Sequence, residues 1–156
     1  MKNKDLFLII ILILIDQISK VLISYKLNYL EVKNIINNFF YLTYVKNTGS
    51  AFSILEGKRI LLIILSIVFL IILIKYLTTS KNKERIYILL IISGLLGNLV
   101  DRILTGKVVD FLGFNIFGYK YPIFNIADSY VVIGVIILLI INIGSDVNDR
   151  IKSRRK

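Results

Sequence analysis

The sequence predicts an all-α membrane protein with four transmembrane helices and a small extracytoplasmic β-sheet, or cradle, between helices 1 and 2. Hydrophobic residues make up 56% of the 156 residues and the mean hydropathy is +0.78, which is too apolar for a soluble domain of this size. Four segments are apolar enough to cross a hydrocarbon core of about 30 Å. The connection between the first two segments carries a strand pattern.

Each predicted transmembrane helix needs about 20 predominantly apolar residues. The four helices cover residues 6–25, 60–77, 86–104 and 123–143. The first follows Lys2 and Lys4, as a signal peptide would, but no small-residue cleavage site follows and the apolar run resumes after Asp16. We therefore expect a retained helix. Because the sequence has no internal repeat and no low-complexity linker, we expect residues 1–156 to form one polytopic domain.

Basic residues beside the spans predict the orientation of the helices. They occur before the first helix, between the second and third, and in the tail: Lys2, Lys4, Lys81, Lys83, Arg85, Arg150, Lys152, Arg154, Arg155 and Lys156. Because cytoplasmic loops are enriched in Lys and Arg, both termini are predicted to be cytoplasmic. The connections 26–59 and 105–122 then face outward, although 26–59 is also basic. The net charge is +10, and the charged residues flank the membrane spans. We therefore expect anionic lipid headgroups as their partner and no nucleic acid.

The outward connection 26–59 is too long and too patterned for a simple linker. Residues 39–45 are rich in aromatic and β-branched side chains, which is typical of a strand, and a turn pattern follows at residues 47–49. We expect a small sheet on the membrane surface, with its aromatic side chains at headgroup level. For the individual aromatic residues, a simple interfacial anchor is the alternative.

The absence of two residue types limits the chemistry of the chain. It contains no histidine and no cysteine. A Ser-His-Asp triad, a thiol nucleophile, a His/Cys zinc site and a disulfide framework are therefore excluded. Any hydrolytic chemistry must use carboxylates, amides, hydroxyls and amines. The informative residues are polar ones in apolar segments, where a charge costs roughly 2.5 to 3.5 kcal/mol near the bilayer centre.

The first helix contains such residues. Asp16 precedes Lys20 by one helical turn, which is the favourable order for an i,i+4 ion pair. A buried salt bridge that orients the helix explains this pair without any further function.

The third helix contains a polar cluster near its C-terminal end. Gly94, Asn98 and Arg102 fall on one stripe, so the glycine can admit a neighbouring helix while the amide and the guanidinium point toward one polar pocket. A simpler alternative is an Asp101–Arg102 pair that caps the helix and reaches the interface. That alternative does not explain why a polar side chain, Asn98, lies deep in the predicted helix.

Asp110 and Asp128 flank the connection between the third and fourth helices. Residues 112–124 are rich in glycine and aromatics, and we expect this loop to fold back and bring the two carboxyl groups together. Asp128 lies in a predicted first helical turn, where the dipole favours its ionised form, whereas the two valines before Asp110 favour its neutral form. A carboxyl pair that shares one proton suits general acid and general base roles. Asp128 alone is equally explained as an ordinary first-turn acid.

Five short strings along the chain carry a combined signal. They are Asp-Gln-Ile-Ser-Lys (16–20), Asn-Thr-Gly-Ser-Ala-Phe (47–52), Gly-Asn-Leu-Val-Asp-Arg (97–102), Val-Val-Asp-Phe (108–111) and Phe-Asn-Ile-Ala-Asp-Ser (124–129). Each string alone is weak. In this order, with four spans and this length, they resemble the lipoprotein signal peptidases, also called signal peptidase II, a family of bacterial membrane aspartyl proteases.

The resemblance implies that Asp110 and Asp128 are the catalytic pair. It further implies support positions around the site at Asp16, Lys20, Asn47, Gly49, Asn98, Arg102, Asn125 and Ala127. The family cleaves the peptide bond before a diacylglyceryl-modified cysteine in a prolipoprotein, and its chemistry needs no metal and no cofactor. One ionised aspartate would activate water while the other, protonated, would donate to the scissile carbonyl. Residues 113–121 match no family string.

The resemblance also implies the surroundings of the enzyme. We expect lipid-modified prolipoprotein substrates, contact with membrane lipids, inhibition by the cyclic peptide globomycin and a monomeric state. We expect a multi-pass protein of the bacterial cytoplasmic membrane with an extracytoplasmic active site. Asn98, Arg102 and Asn125 are expected to hold the substrate backbone and orient the pair, and residues 47–52 to form a cradle or lid.

Other classes of protein remain open at the level of the residues. A small polytopic transporter or channel component also buries acids and a lysine, but it needs a polar path to both faces, and the strongest cluster here lies in the outer half. A membrane enzyme that holds a divalent metal needs several close acids, and Asp101, Asp110 and Asp128 supply three at most. A structural assembly factor would tolerate asparagine at both 110 and 128.

Overall fold

The computed structural model describes residues 3–49, 55–80 and 82–153, with only the backbone described at residue 82 and at residues 145–153. Four long helices dominate it: α1 (Asn3–Lys26), α2 (Arg59–Thr79), α3 (Asn82–Leu104) and α4 (Ile126–Ser153). Each contains a stretch long and apolar enough to cross a membrane, which confirms the four predicted spans. Several predicted features lie outside the described residues: Lys2, Lys81, Arg154, Arg155, Lys156 and residues 50–52 of the predicted lid.

The start of the last helix differs from the prediction. α4 begins at Ile126 rather than at residue 123. Phe124 is held in an extended segment, because its N–H donates to the Leu112 carbonyl at 3.1 Å and its carbonyl accepts from the Leu112 N–H at 2.8 Å. The apolar run therefore continues through a β-bridge before the helix starts, and hydropathy alone does not separate the two.

The β-sheet has four antiparallel strands in the order β1 (Val32–Ile36), β2 (Phe40–Asn47), β3 (Val108–Ile116) and β4 (Tyr119–Lys120). The predicted strand at residues 39–45 is confirmed as β2. Strands β1 and β2 lie between α1 and α2, where the sheet was predicted, whereas β3 and β4 come from the connection between α3 and α4. That connection is a hairpin rather than the predicted loop.

An irregularity between β2 and β3 lies beside Asp110. Val45 pairs with Asp110 and Leu42 pairs with Leu112, so two residues of β2 stand opposite the single residue Phe111. Such a bulge bends a strand pair locally and changes the direction of its side chains. Asp110 and Phe111 are consecutive and both are buried, which regular alternation does not permit.

Helix α3 is the central helix of the bundle. In the most apolar stretch of α3, 56% of the residues are buried inside the protein, compared with 11% to 22% in the corresponding stretches of the other three helices. The buried core includes Ile88 and Ile92 of α3 and Leu70 of α2. The exposed apolar surfaces of the outer helices match a lipid environment.

Gly94 allows α3 and α4 to approach closely. A Cβ atom at this position would lie 2.3 Å from the Ala127 carbonyl oxygen and 2.7 Å from a Val131 methyl group. Gly94→Ala is therefore expected to lower the free energy of unfolding by about 1 to 3 kcal/mol, the usual cost of overpacking. Unfolding of the purified protein by titration with a denaturing detergent measures this change.

Gly144→Ala is the matched control, because a Cβ at this α4 position meets no described atom within 4 Å. Alanine exceeds glycine in helix propensity by about 0.8 to 1.0 kcal/mol, so this change is expected to be neutral or stabilising. Equal stability of the Gly94→Ala and Gly144→Ala variants would show that the α3–α4 contact is not tight at Gly94.

Candidate active site

Asp110 is held in β3 by two amide side chains. Its side chain is buried, with 3% exposure. Oδ2 accepts a hydrogen bond from Nδ2 of Asn47 at 2.8 Å, and Oδ1 accepts one from Nδ2 of Asn125 at 2.7 Å. Asn47 is in reach because it ends β2 and pairs with Val108, two residues before Asp110.

Asp128 lies in the first turn of α4 and closes a reciprocal cap with Asn125. The Asp128 N–H donates to Oδ1 of Asn125 at 2.9 Å, and the Asn125 N–H donates to Oδ2 of Asp128 at 3.1 Å. This is a capping box, so the first-turn interpretation of Asp128 describes its local geometry correctly. Its second oxygen, Oδ1, accepts a hydrogen bond from Nδ2 of Asn98 in α3 at 2.7 Å, which a helix cap does not require.

Asn125 is the residue that joins the two carboxyl groups. It is fully buried, and its side chain contacts both acids. Nδ2 donates to Asp110 and also to Oδ1 of Asn98 at 3.2 Å, while Oδ1 accepts from the backbone of Asp128. The predicted fold-back of residues 112–124 therefore does bring the two acids to one site, through a β-hairpin.

Lys20 fixes the orientation of Asn98. Its ammonium group lies 2.7 Å from Asp16 Oδ2, 2.7 Å from Asp101 Oδ2 and 3.0 Å from Asn98 Oδ1. Because the amide oxygen of Asn98 faces Lys20, the amide nitrogen faces Asp128. The predicted Asp16–Lys20 pair is confirmed. The alternative Asp101–Arg102 pair is not the arrangement found, since consecutive helical residues point to different faces.

Asp16 also supports the start of α4. Its Oδ1 accepts a hydrogen bond from the Ala127 N–H at 2.9 Å, which satisfies one of the free N–H groups at that helix terminus. Ala127 is fully buried against α3. A Cβ at Gly97 would lie 2.7 Å from Asp16 Oδ2 and 3.2 Å from the Ala127 Cβ, so small residues are required where these helices meet.

Gly49 and Arg102 lie next to Asn47. The Gly49 N–H donates to Oδ1 of Asn47 at 2.8 Å, and the Gly49 carbonyl accepts from Nη2 of Arg102 at 3.0 Å. Nε of Arg102 is buried and has no hydrogen-bond partner among the described residues. The guanidinium also interacts electrostatically with Asp128 and Asp110. Among the predicted site residues that the structure describes, Arg102 is the one with a buried polar atom that lacks a hydrogen-bond partner.

Two residues of the polar cluster were not among the predicted site residues. Gln17 donates to Oδ1 of Asp101 at 3.1 Å and to the Gly97 carbonyl at 3.2 Å, and Asp101 also pairs with Lys20. A signal for Asp101 was available, because it lies three residues after Asn98 and hence on the same helical face. Nothing local marks Gln17 beyond its place beside Asp16.

Arg59 is a further residue that sequence reasoning missed. It lies at the start of α2, and its Nε and Nη2 donate to the carbonyls of Arg102 and Ile103, both at 2.8 Å. These carbonyls belong to the last turn of α3, where no helical partner is available. The contact spans 43 residues of sequence, so no local pattern predicts it.

Burial changes the acidity of Asp110. The loss of hydration, followed by the negative charge of Asp128, raises the pKa of Asp110 from 3.8 to about 7. The hydrogen bonds from Asn47 and Asn125 and the charge of Lys20 act in the opposite direction. This agrees with the expectation that the apolar approach to Asp110 favours its neutral form.

The fold and the site together define a class of protein, a multi-pass membrane protein with two carboxyl groups, Asp110 buried and Asp128 half-buried, that accept hydrogen bonds from amide side chains. Among the described residues, no group of three or more acidic side chains is placed to hold a metal ion. The model of the family described as signal peptidase (SPase) II matches residues 8–143. The chain therefore belongs to the signal peptidase II family.

Relatives and solved structures agree with this assignment. The chain is 41% identical over 139 residues to a lipoprotein signal peptidase of Staphylococcus haemolyticus, covering 87% of this chain and 88% of the relative. It is 38% identical to the lipoprotein signal peptidase of Staphylococcus aureus, covering 87% and 85%. A bacterial membrane enzyme solved by the in meso method at 2.3 Å superposes with a TM-score of 0.88 at 36% identity, covering 94% of this chain and 91% of that chain. A second, at 1.9 Å, gives 0.78 at 38% identity, covering 88% and 91%.

Proposed function

We propose that this chain is an aspartic endopeptidase that removes the signal peptide from diacylglyceryl-modified prolipoproteins by cleaving before the lipidated cysteine. Family membership and the names of its relatives support the reaction. The observation that carries the aspartic mechanism is the Asn125 side chain, which hydrogen-bonds Asp110 and caps the turn that holds Asp128. Two carboxyl groups held in this way share one proton and act as an acid and a base.

In this mechanism the two carboxyl groups have different states at rest. Asp128, ionised, accepts a proton from a water molecule as the water oxygen attacks the scissile carbonyl carbon. Asp110, protonated, donates its proton to the carbonyl oxygen. As the tetrahedral intermediate collapses, the C–N bond breaks and the amine of the lipidated cysteine leaves with the proton taken up by Asp128. Asp110 takes back a proton from a hydroxyl group of the intermediate as the C=O bond re-forms, which restores both carboxyl groups to their resting states. The raised pKa of Asp110 supports a proton on this carboxyl group.

The remaining site residues position the pair and the substrate. Asn98 and Asn125 orient the carboxyl groups through the hydrogen bonds described above. Nη2 of Arg102 donates to the Gly49 carbonyl, and its Nε, which has no hydrogen-bond partner among the described residues, donates to a carbonyl of the substrate. Asp16, Lys20, Asn47 and Ala127 hold these groups in place.

The topology proposed for the membrane follows from where the site lies. Lys20 lies in the C-terminal half of α1, Arg102 in that of α3, Asp110 in β3 and Asp128 at the start of α4, and these elements meet at one end of the bundle. Basic residues flank the other end. We therefore place both termini in the cytoplasm and the site on the extracytoplasmic side of the bacterial cytoplasmic membrane. A cluster at one end does not favour a transporter, which needs a path to both faces.

The wider proposal concerns the state and the partners of the enzyme. Residues 1–156 act as one peptidase domain and as a monomer, in contact with membrane lipids and without a cofactor. A globomycin-type cyclic peptide inhibits it by occupying the substrate site.

A paired cleavage assay tests the function. The purified protein in detergent is given a prolipoprotein with or without the diacylglyceryl group on its cysteine, and products are followed by gel shift and mass spectrometry. Cleavage of the modified precursor only, directly before the cysteine, is expected because the acyl chains supply binding energy remote from the reacting bond. Cleavage of both precursors at the same rate, or at another bond, would contradict the proposal.

The pH dependence of cleavage tests the protonation states. Because Asp110 must carry a proton and its pKa is raised to about 7, the rate is expected to fall as the pH rises through this value. Asn47→Ala removes a hydrogen bond that lowers the pKa of Asp110, so the fall in rate should move to higher pH. Profiles of kcat against pH for the two proteins measure this. A fall at the same pH in both would contradict the assignment to Asp110.

A further inference from the structure

The tip of the β3–β4 hairpin has a side chain that local folding does not explain. Phe117 is fully exposed, and with Gly118 it forms the turn, with φ angles of 52° and 82°. Two-residue turns of this geometry favour asparagine, aspartate and glycine, and a bulky aromatic residue with positive φ is uncommon. Tyr119 and Tyr121 beside it are also exposed and stack edge to face.

The tip is too far from the carboxyl pair to hold the scissile bond. Phe117 lies seven residues beyond Asp110 along the hairpin, which corresponds to about 23 Å at a strand rise of 3.3 Å per residue. The hairpin is closed by the pairing of Ile116 with Tyr119 and by the hydrogen bond from the Tyr121 N–H to the Phe114 carbonyl. The tip therefore projects away from the site on a paired arm.

Both strands of the arm are tied to membrane-spanning helices. β3 starts four residues after the end of α3, and the segment after β4 leads directly into α4. The Leu112–Phe124 bridge forms the base of the arm. From this base to Phe117 is about 17 Å at the same strand rise, so an arm that lies along the membrane surface keeps its tip within the headgroup layer.

The side chains of the tip are of the types that occur in the headgroup layer of a membrane. Tyrosine concentrates at membrane interfaces, where its ring meets acyl chains and its hydroxyl meets water. Phenylalanine is typical of the apolar side of interfacial segments, which is buried at the boundary between headgroups and acyl chains. Lys120, exposed between the two tyrosines, has a long stem and a charge that suits lipid phosphate. A water-facing hairpin would leave three neighbouring aromatic rings hydrated.

We propose that the hairpin tip, defined as Phe117, Tyr119, Lys120 and Tyr121, docks into the headgroup layer of the phospholipid bilayer. Docking fixes the height of β3, and hence of Asp110, above the acyl chains. The acyl chains of the substrate fix the height of the lipidated cysteine in the same layer. This second step rests on the proposed function, whereas docking itself does not.

The absence of tryptophan from the sequence gives a direct test. Phe117→Trp places a single tryptophan at the tip, and Phe69→Trp places one on a lipid-exposed face in the middle of α2 as a depth standard. In phospholipid vesicles, Phe117→Trp is expected to emit at short wavelength and to be quenched most by lipids brominated near the headgroup. Phe69→Trp is expected to be quenched most by lipids brominated near the chain ends.

Emission of Phe117→Trp at the wavelength of tryptophan in water, with quenching by acrylamide and none by brominated lipid, would overturn docking. A spectrum that changes with the ratio of protein to lipid would assign the tip to a second copy of the chain and would also overturn it. Neither readout requires cleavage, so failure of the proposed function leaves this test intact.

Phe117→Asn tests whether docking of the hairpin tip sets the height of Asp110 above the acyl chains. Asparagine tolerates the positive φ at this turn, so the hairpin is expected to be kept. The variant should cleave the lipidated precursor several-fold more slowly than the unsubstituted protein in vesicles and at an equal rate in detergent. Equal rates in vesicles would overturn the link between docking and cleavage.

Discussion

Replacing Asp110 or Asp128 with asparagine is expected to lower the rate of prolipoprotein cleavage by about 10²- to 10⁴-fold, the usual contribution of a positioned acid or base. Asparagine keeps the size of the side chain but cannot exchange a proton at neutral pH. Each carboxyl group accepts two hydrogen bonds, and an amide nitrogen in its place must face one of those donors. Single-turnover cleavage of the lipidated precursor in detergent measures the loss.

Folding and binding must be measured beside the rate, because both acids are part of a hydrogen-bonded network. Glu31→Gln is the matched control: Glu31 is exposed in the first connection and bonds only with Asn28 in the contacts described. It is expected to cleave at the normal rate. A folded, substrate-binding Asp110→Asn or Asp128→Asn variant that cleaves within a few-fold of the normal rate would rule out the carboxyl pair.

The second large effect is expected at Lys20. Lys20→Met leaves Asp16 and Asp101 buried without their cation, and removing one partner of a buried ion pair costs about 3 to 5 kcal/mol. It also frees the amide oxygen of Asn98, so the bond from Asn98 to Asp128 loses its fixed orientation. Both a lower free energy of unfolding and slower cleavage are therefore expected. Detergent-induced unfolding and single-turnover rates measure them.

Arg85→Met separates these two effects. Arg85 pairs with Asp5 through two hydrogen bonds at the other end of the bundle. This variant is expected to lose stability while its pH profile of cleavage stays unchanged. The double variant Lys20→Met/Asp101→Asn should recover part of the stability lost in Lys20→Met. If Lys20→Met unfolds like the unsubstituted protein, the cluster does not stabilise the fold.

The helices were predictable because each span is a long apolar run, but their ends depend on contacts. α4 starts late because residue 124 bridges to residue 112, a partner that hydropathy does not reveal. β3 was missed because Gly113, a buried aspartate and the bulge opposite Phe111 interrupt the alternation that marks a strand. β2, with its aromatic and β-branched run, was visible.

The candidate site was predictable to the extent that its residues are costly in a membrane. The pairing of Asp16 with Lys20 follows from helical spacing. The pairing of Lys20 with Asp101 does not follow from local spacing. These residues are 81 positions apart in sequence, and their contact depends on how α1 packs on α3. The orientation of Asn98, and through it of Asp128, likewise depends on that packing.

The most direct test of the central claim is single-turnover cleavage of a diacylglyceryl-modified prolipoprotein by the purified protein and by Asp110→Asn, each with and without a strong metal chelator, at pH values below and above 7. We predict that the unsubstituted protein cleaves equally with and without chelator and more slowly above the raised pKa of Asp110. We also predict that Asp110→Asn, still folded and binding, cleaves about 10²- to 10⁴-fold more slowly. Two results would contradict a carboxyl pair that hydrolyses the bond with one shared proton. One is cleavage that the chelator abolishes and a divalent metal restores, and the other is cleavage by Asp110→Asn at a rate near that of the unsubstituted protein.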